Sequence, residues 1–342
     1  MPSVGLPESA QRLIANVFST SRYGRGSLRY IRQMCSRCCV SAALVTEWLF
    51  QLVRQVFSVV LLLCSLFGQA AITIIYPAPD SPSDTRHVDK LEFLKAALER
   101  TVPRYGAYEL KPASVVMNKA RQLVTIKSGD ELTLIWGSTS PELEQDLLPI
   151  RICLRKGLMG YRIALIAKER QAEFDKVKNV EMLKKFLIGQ GNGWGDVPIL
   201  RRAGLNVMTG NYSSLFRMLA AGRIDLFPRG VTEVFNEWEA NYAELPNLAI
   251  ESGLLIYYPS PYYFFVSKQN STLAARLEEG LRMMLKDGSF DEIFWRYNGD
   301  SIMKAKFNRR RIIRLENPTL SPKTPLKEKA LWFDPARLNV RK

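Results

Sequence analysis

Histidine is almost absent from this chain, with His87 the single one in 342 residues. One imidazole in a loop can build neither a Ser-His-Asp triad nor a histidine metal centre, which removes most hydrolase and zinc chemistry at the outset. Cysteine is scarce where it would matter. Cys35, Cys38, Cys39 and Cys64 all fall near the beginning, so Cys153 alone follows and the remainder can close no internal disulfide. The Cys35, Cys38, Cys39 group has the start of metal-ligand spacing but no further ligand nearby, so no metal or other cofactor is expected. Long apolar runs are missing too. The longest, Val56 to Phe67, is twelve residues, against the roughly 20 that cross a bilayer as a helix. No internal repeat, low-complexity tract or nucleic-acid-binding motif occurs, and nucleic acid is not an expected partner despite the basic balance.

The short apolar run has the order of a secretory signal. Arg54 precedes it, and Gly68-Gln69-Ala70 supplies the small residues that a signal peptidase reads, so cleavage is expected after Ala70 and a periplasmic location follows. A lipid-modified Cys64 is disfavoured by Leu63 before it. The lead of some 50 residues, with six arginines and two glutamates, is long for a signal, and a true start at Met34 or later would give a more ordinary leader. The whole chain carries 48 basic and 33 acidic residues, a net +15; without residues 1–70 it keeps 41 and 31, a net +10. That balance favours anionic partners without naming one. The one dense cluster, Arg309-Arg310-Arg311 with Arg314, alternates with Ile312, Ile313 and Leu315 and reads as a solvated face.

From residue 72 onward, strand and helix patterns alternate. Ile72–Pro77 reads as a strand and residues 88–100 as an amphipathic helix closed before Pro103. Tyr108–Pro112 and Leu132–Trp136 read as further strands, and Gly160–Ile166 opens a new unit. The stretch Phe186 to Arg229 is the most informative. It reads as strand, glycine turn, helix, strand, helix and strand, with Pro198 in the first turn of its first helix and Gly204 and Gly222 closing the two helices. The turn Gly191-Asn192-Gly193-Trp194-Gly195-Asp196 would aim free N–H groups and a helix dipole at one point, an arrangement suited to a carboxylate or phosphate. Alternation of this kind implies α/β layers with mainly parallel sheets.

Several segments in this order carry a resemblance. They are Ile72–Pro77, Ser138-Thr139-Ser140-Pro141-Glu142, the turn at 189–196, Leu219-Ala220-Ala221-Gly222-Arg223-Ile224-Asp225, Tyr262–Lys268 and Gly280–Phe294. Together, over roughly Ile72 to Asn298, the chain resembles the type 2 periplasmic solute-binding proteins of the polar amino acid family. The resemblance implies a two-lobed α/β fold, each lobe a mainly parallel sheet flanked by helices, joined by a hinge of two crossings. Lobe one would comprise 71–159 plus 269–342 and lobe two 160–268, and the segment from Lys304 onward would pack across lobe one. It also implies a monomeric receptor that performs no reaction, traps a small anionic or amino-acid-like ligand between its lobes, and works with a membrane permease of an ABC transporter or with a membrane sensor protein. A carboxylate-dependent lyase or dehydratase on the same fold is the alternative from another class.

Two departures bear on the ligand. Family members follow the Ser/Thr of lobe one with an arginine that grips the ligand carboxylate, whereas Leu143 stands at that position here, with Arg151, Arg155 and Arg162 further on. They also place an acid a few residues past the position of Asp225 for the ligand ammonium, whereas here Arg229 brings a cation. Both favour a ligand richer in negative charge or π surface. The expected ligand-binding set is Ser138 and Thr139 on lobe one, Gly193, Trp194, Asp196 and Arg229 on lobe two, Arg162 as substitute cation and Tyr76 as a stacking aromatic. Tyr258 or Tyr262 is a further candidate for touching ligand. Glu233 and Glu237, four apart, read as one solvated helical face rather than a catalytic pair.

Overall fold

The computed structural model describes residues 51–55, 71–79, 81, 87–129 and 131–340. The apolar run Val56–Phe67, the cleavage position after Ala70, Cys64 and the cysteine group at 35–39 lie outside the described residues. Residues 51–55 are helical and belong to a unit covering Met1–Gln69. The sheets and the helices packed on them belong to the unit Ala70–Lys342. Among the described residues no helix is long and apolar enough to cross a membrane.

The first sheet is built from β1 (Ile72–Tyr76), β2 (Tyr108–Pro112), β3 (Leu134–Ser138), β4 (Leu147–Ile150) and β11 (Tyr262–Ser267). β1 and β2 run parallel, and β3-β11-β4 form an antiparallel trio. Thr133 joins the two groups: its N–H donates to Ile75 C=O at 2.9 Å, and its hydroxyl accepts from Ile75 N–H at 2.7 Å. Helices α1 (Val88–Tyr105), α2 (Lys119–Ser128) and α3 (Pro141–Asp146) follow β1, β2 and β3. Phe93, Leu94, Ala97 and Leu98 form the buried stripe of α1, each large apolar side chain contributing about 1.5–3 kcal/mol by leaving water. The helix runs past Pro103 to Tyr105 instead of closing before it. Arg276 holds that end, its Nε donating to Thr101 Oγ1 at 3.1 Å and its Nη2 to Gly106 C=O at 2.8 Å.

The second sheet contains β5 (Tyr161–Ala167), β6 (Leu187–Gly191), β7 (Asn206–Gly210), β8 (Leu226–Gly230), β9 (Leu248–Ile250), β10 (Leu254–Tyr257) and β12 (Arg311–Arg314). Its order is β12-β10-β5-β8-β6-β7, with β9 also pairing β5. All seven residues of β5 are buried. The short helices α4 (Gln171–Phe174) and α5 (Val180–Leu183) lead to β6, then α6 (Asp196–Arg202) and α7 (Tyr212–Ala220) flank the sheet, and α8 (Val234–Tyr242) follows β8. After β11 the chain adds α9 (Ser271–Asp287) and α10 (Ser289–Ala305). Helix α9 lies so close to α1 that a Cβ on Gly280 would come within 2.2 Å of the Ala97 carbonyl oxygen.

The α/β architecture is as expected, but the sheets are mixed rather than mainly parallel. Strands arriving from the other sheet run against their neighbours, β5 against β8 and β11 against β3 and β4. The chain passes between the sheets near the expected 159/160 boundary, but the return expected at 268/269 comes earlier, at 258–261, because β11 pairs with β3 and β4 of the first sheet, and a third passage follows it. The C-terminal segment does not simply lie across the first lobe, because β12 pairs in parallel with β10 in the second sheet. Of the arginines around it, Arg309, Arg311 and Arg314 are exposed as expected, but Arg310 is withdrawn and Arg311 is also tied to backbone carbonyls. The Arg310 side chain is 5% exposed and bonds Ala305 C=O and Leu254 C=O, while Arg311 bonds Val177 C=O at 2.9 Å and Asp175 C=O at 2.8 Å. Beyond β12 the chain returns so that Phe333 N–H donates to Lys156 C=O at 2.7 Å.

Candidate functional site

β3 ends at Ser138, and Ser140 then caps α3: its Oγ accepts from Leu143 N–H at 3.2 Å, with Pro141 in the first turn where no N–H is needed. This places hydroxyls, not guanidinium groups, at the strand end. Thr139 donates its hydroxyl to Glu144 at 2.6 Å, and Glu144 is held below its ordinary value against burial by Arg151 and Thr139. Leu143, where the resemblance called for arginine, packs against the apolar cluster around Ile135 and Phe265.

Across from this turn lies the start of α6. Between them is a cleft of about 340 Å³, bounded by Ser138, Thr139, Ser140 and Glu142 on one side and by Arg162, Gly195, Asp196 and Pro198 on the other. Ser260 and two residues of the C-terminal segment, Asn317 and Thr319, close its end. Asn317 is fixed there by donating its amide to Pro259 C=O at 2.8 Å, and its Oδ1 accepts from Thr319 Oγ1 at 2.7 Å. Nothing in the sequence patterns marked these two residues, because the C-terminal segment reaches the cleft only through the β12–β10 pairing.

The second wall is charged. Asp196, at the start of α6, accepts from Arg162 Nη2 at 2.7 Å and from the Tyr258 hydroxyl. Burial opposes the Arg162 charge, yet Asp196, Tyr258 and Glu233 hold it above its ordinary value. Burial also pushes the Tyr258 hydroxyl well up, so it remains a donor. Arg162 Nε is buried without a hydrogen-bond partner. The glycine turn therefore presents a carboxylate at the helix start instead of an empty anion socket, which corrects the expectation drawn from its spacing.

Behind this pair stands Arg229. Its Nε and Nη2 meet the two Glu237 oxygens at 2.6 and 2.7 Å, and the Tyr212 hydroxyl donates to the same carboxylate at 2.9 Å. Its guanidinium lies 4.4 Å from the centre of the Trp194 ring, with Tyr212 and Phe227 also around it. Burial disfavours the Arg229 charge, and Glu237 and Glu233 more than offset that. Glu237, read from sequence as solvated, is thus the half-buried partner of Arg229, because the helical face it shares with Glu233 points towards β8. Gly191 permits the packing, since a Cβ there would come within 2.1 Å of the Trp194 ring.

Of the eight expected site residues, Ser138, Thr139, Arg162 and Asp196 come together in the cleft. Trp194 and Arg229 form the stacked pair beside it, and Gly193 sits exposed in the turn at φ 72°. Tyr76 lies elsewhere, stacked on Trp136 with ring centres 6.2 Å apart. Of the substitute cations, Arg151 is taken by Glu144 and Arg155 by Asp89. Another cavity, about 240 Å³, lies by Trp332 and Phe333 against α10 and is lined by aromatics together with charged residues, among them Lys156, Asp291 and Arg337.

No family model and no curated protein matches the chain. Solved structures do. The chain is similar to the probable amino-acid ABC transporter extracellular-binding protein ytmK from Bacillus subtilis, with a TM-score of 0.50, 14% identity, and 68% of this chain and 99% of that chain covered. It is also similar, at TM-score 0.45 and 16% identity, to YckB from Bacillus subtilis, covering 71% of this chain and 96% of that one. An ancestral arginine-binding protein bound to arginine matches at TM-score 0.44 and 19% identity, with 67% and 98% covered. The fold is that of the two-lobed type 2 periplasmic solute-binding proteins.

Proposed function

We propose that this protein is an exported, non-enzymatic receptor that closes on a small polar solute and delivers it to the membrane permease of an ABC transporter. The observation that supports this most is the cleft whose two walls come from the two sheets, one lined by Ser138, Thr139 and Glu142 and the other by Arg162 and Asp196. Clefts between hinged lobes are where such ligands are trapped. We assign lobe one to 71–159 with the segment carrying β11, α9 and α10, and lobe two to 160–257 with β12. The ligand is amino-acid-like or carries an acidic group. Because every arginine near the cleft already faces a carboxylate, recognition rests on hydrogen bonds and on exchange of ion-pair partners, not on attraction to a bare positive surface. The delivery role follows the printed function of the similar Bacillus subtilis protein.

A thermal-shift screen of the purified protein against amino acids, dicarboxylates, aromatic acids, phosphates and peptidoglycan fragments tests this, since a ligand that binds only the folded state raises the melting temperature. A dose-dependent rise with one class, without product formation, is the expected result. Turnover of the solute would point instead to a carboxylate-dependent lyase.

A further inference from the structure

The charged wall of the second sheet is a ladder of alternating sign: Asp196, Arg162, Glu233, Arg229, Glu237. Its outer contacts are short, 2.7 Å at Arg162–Asp196 and 2.6 Å at Arg229–Glu237. Its central contacts are long: Glu233 Oε2 lies 3.6 Å from Arg162 Nη1 and 3.3 Å from Arg229 Nη2. The same oxygen accepts from the Gly230 N–H at 3.0 Å. Two guanidinium groups and one backbone N–H therefore converge on a single carboxylate oxygen, the donor set that binds a free carboxylate or similar oxyanion.

Glu233 is the member best able to leave. Its side chain is 33% exposed, against 14% and 15% for Asp196 and Glu237. Its departure would leave each arginine with its outer partner, so no buried charge would be stranded. Arg155, paired with Asp89, is near enough to feel the Glu233 charge. Gly230 keeps the place open, because a Cβ there would come within 2.8 Å of Glu233 Oε2 and 3.4 Å of Arg162 Nη1. Arg162 connects the place to the cleft, which it lines, and its Nε has a buried donor to spare.

We propose that Arg162, Arg229 and the Gly230 N–H form an oxyanion site in which the Glu233 carboxylate is a displaceable resident, and that a carboxylate-bearing solute binds by taking its place. The exchange of one carboxylate for another leaves the charge of the ladder unchanged, so it avoids the desolvation cost that an added charge would incur. This deepens the receptor reading and relies on it only for the identity of the displacing group.

The test is rescue with acetate in the full-length protein. Glu233→Ala vacates the place while sparing the outer pairs; Glu233→Gln, used if the alanine variant does not accumulate, leaves a neutral amide that holds the two arginines more weakly than a carboxylate and that acetate can displace. Acetate, compared with chloride at equal ionic strength, should raise the melting temperature of either variant by a few degrees and leave the wild type where chloride leaves it. A folded variant whose response to acetate equals its response to chloride overturns the proposal. Rescue without any solute hit in the thermal-shift screen would keep the oxyanion site and remove the receptor reading. A solute hit without rescue would do the reverse.

Discussion

The two walls of the cleft solve the same task with opposite chemistry. The wall from the first sheet ends in hydroxyls that are tied into a helix cap, with Leu143 turned into the core. The wall from the second sheet is a ladder of five charged side chains, two positive and three negative, mostly withdrawn from water. The difference shows how a basic protein can have a cleft without a bare cationic face. Its arginines are neutralised within the wall that bears them, so the cleft sets a hydrogen-bonding surface against a charge-balanced one.

Substitutions on the two walls should therefore differ sharply. Arg162→Met leaves the half-buried Asp196 beside Tyr258 with no cation; breaking a fully buried pair costs about 3–5 kcal/mol, and the loss here should approach the lower end of that range. Ser138→Ala, on an exposed hydroxyl, should change stability by less than about 0.5 kcal/mol. Urea titrations of both variants measure the contrast, and equal losses would erase the distinction between the walls.

The first sheet also rests on the packing of α9 against α1, and Gly280→Ala probes that support. The added methyl meets the backbone of α1 and not a movable side chain. Overpacking of this kind costs about 1–3 kcal/mol. Full stability of this variant, seen as an unchanged urea midpoint, would mean that α9 and α1 can separate without loss.

A third prediction sharpens the comparison by asking where the first lobe keeps its own charge. Lys90 is buried beside Asp89, 2.8 Å away, near Arg155 and the Tyr262 ring. Burial, aided by Arg155 and opposed by Asp89, lowers the lysine from 10.5 to about 8. Between those pH values the unfolded chain binds more protons than the folded one, so stability rises with pH across the window. Below about pH 8 both states carry the charge and the penalty is present in full. Denaturation at pH 7.5, 9 and 10.5 should show that rise in the wild type and a flatter profile in Lys90→Met.

The sequence made the layered α/β pattern legible because local periodicity reports which face of an element is buried. The strands β1, β2, β5 and β6, the glycine turn and the helices at 196–202 and 212–220 all follow from such patterns. The β12 strand did not, since the alternation Arg-Ile-Ile-Arg looks solvated until β10, more than 50 residues earlier in the chain, is beside it. The same limit applies to the charged ladder. Glu233 and Glu237 were placed on one helical face from their spacing, but what that face meets depends on β5 and β8, which reach it only through the sheet. Asn317 and Thr319 were invisible for that reason too. Helix α1 ran past Pro103 because Arg276, on a distant helix, bonds the groups at its end.

The central claim is that a solute is held between the two walls, and hydrogen exchange tests it most directly. With the solute that raises the melting temperature most, amide exchange in residues 138–142 and 194–199 should slow together, since closure buries both segments at once. Protection of one wall alone, or of neither while another surface slows, would contradict the account.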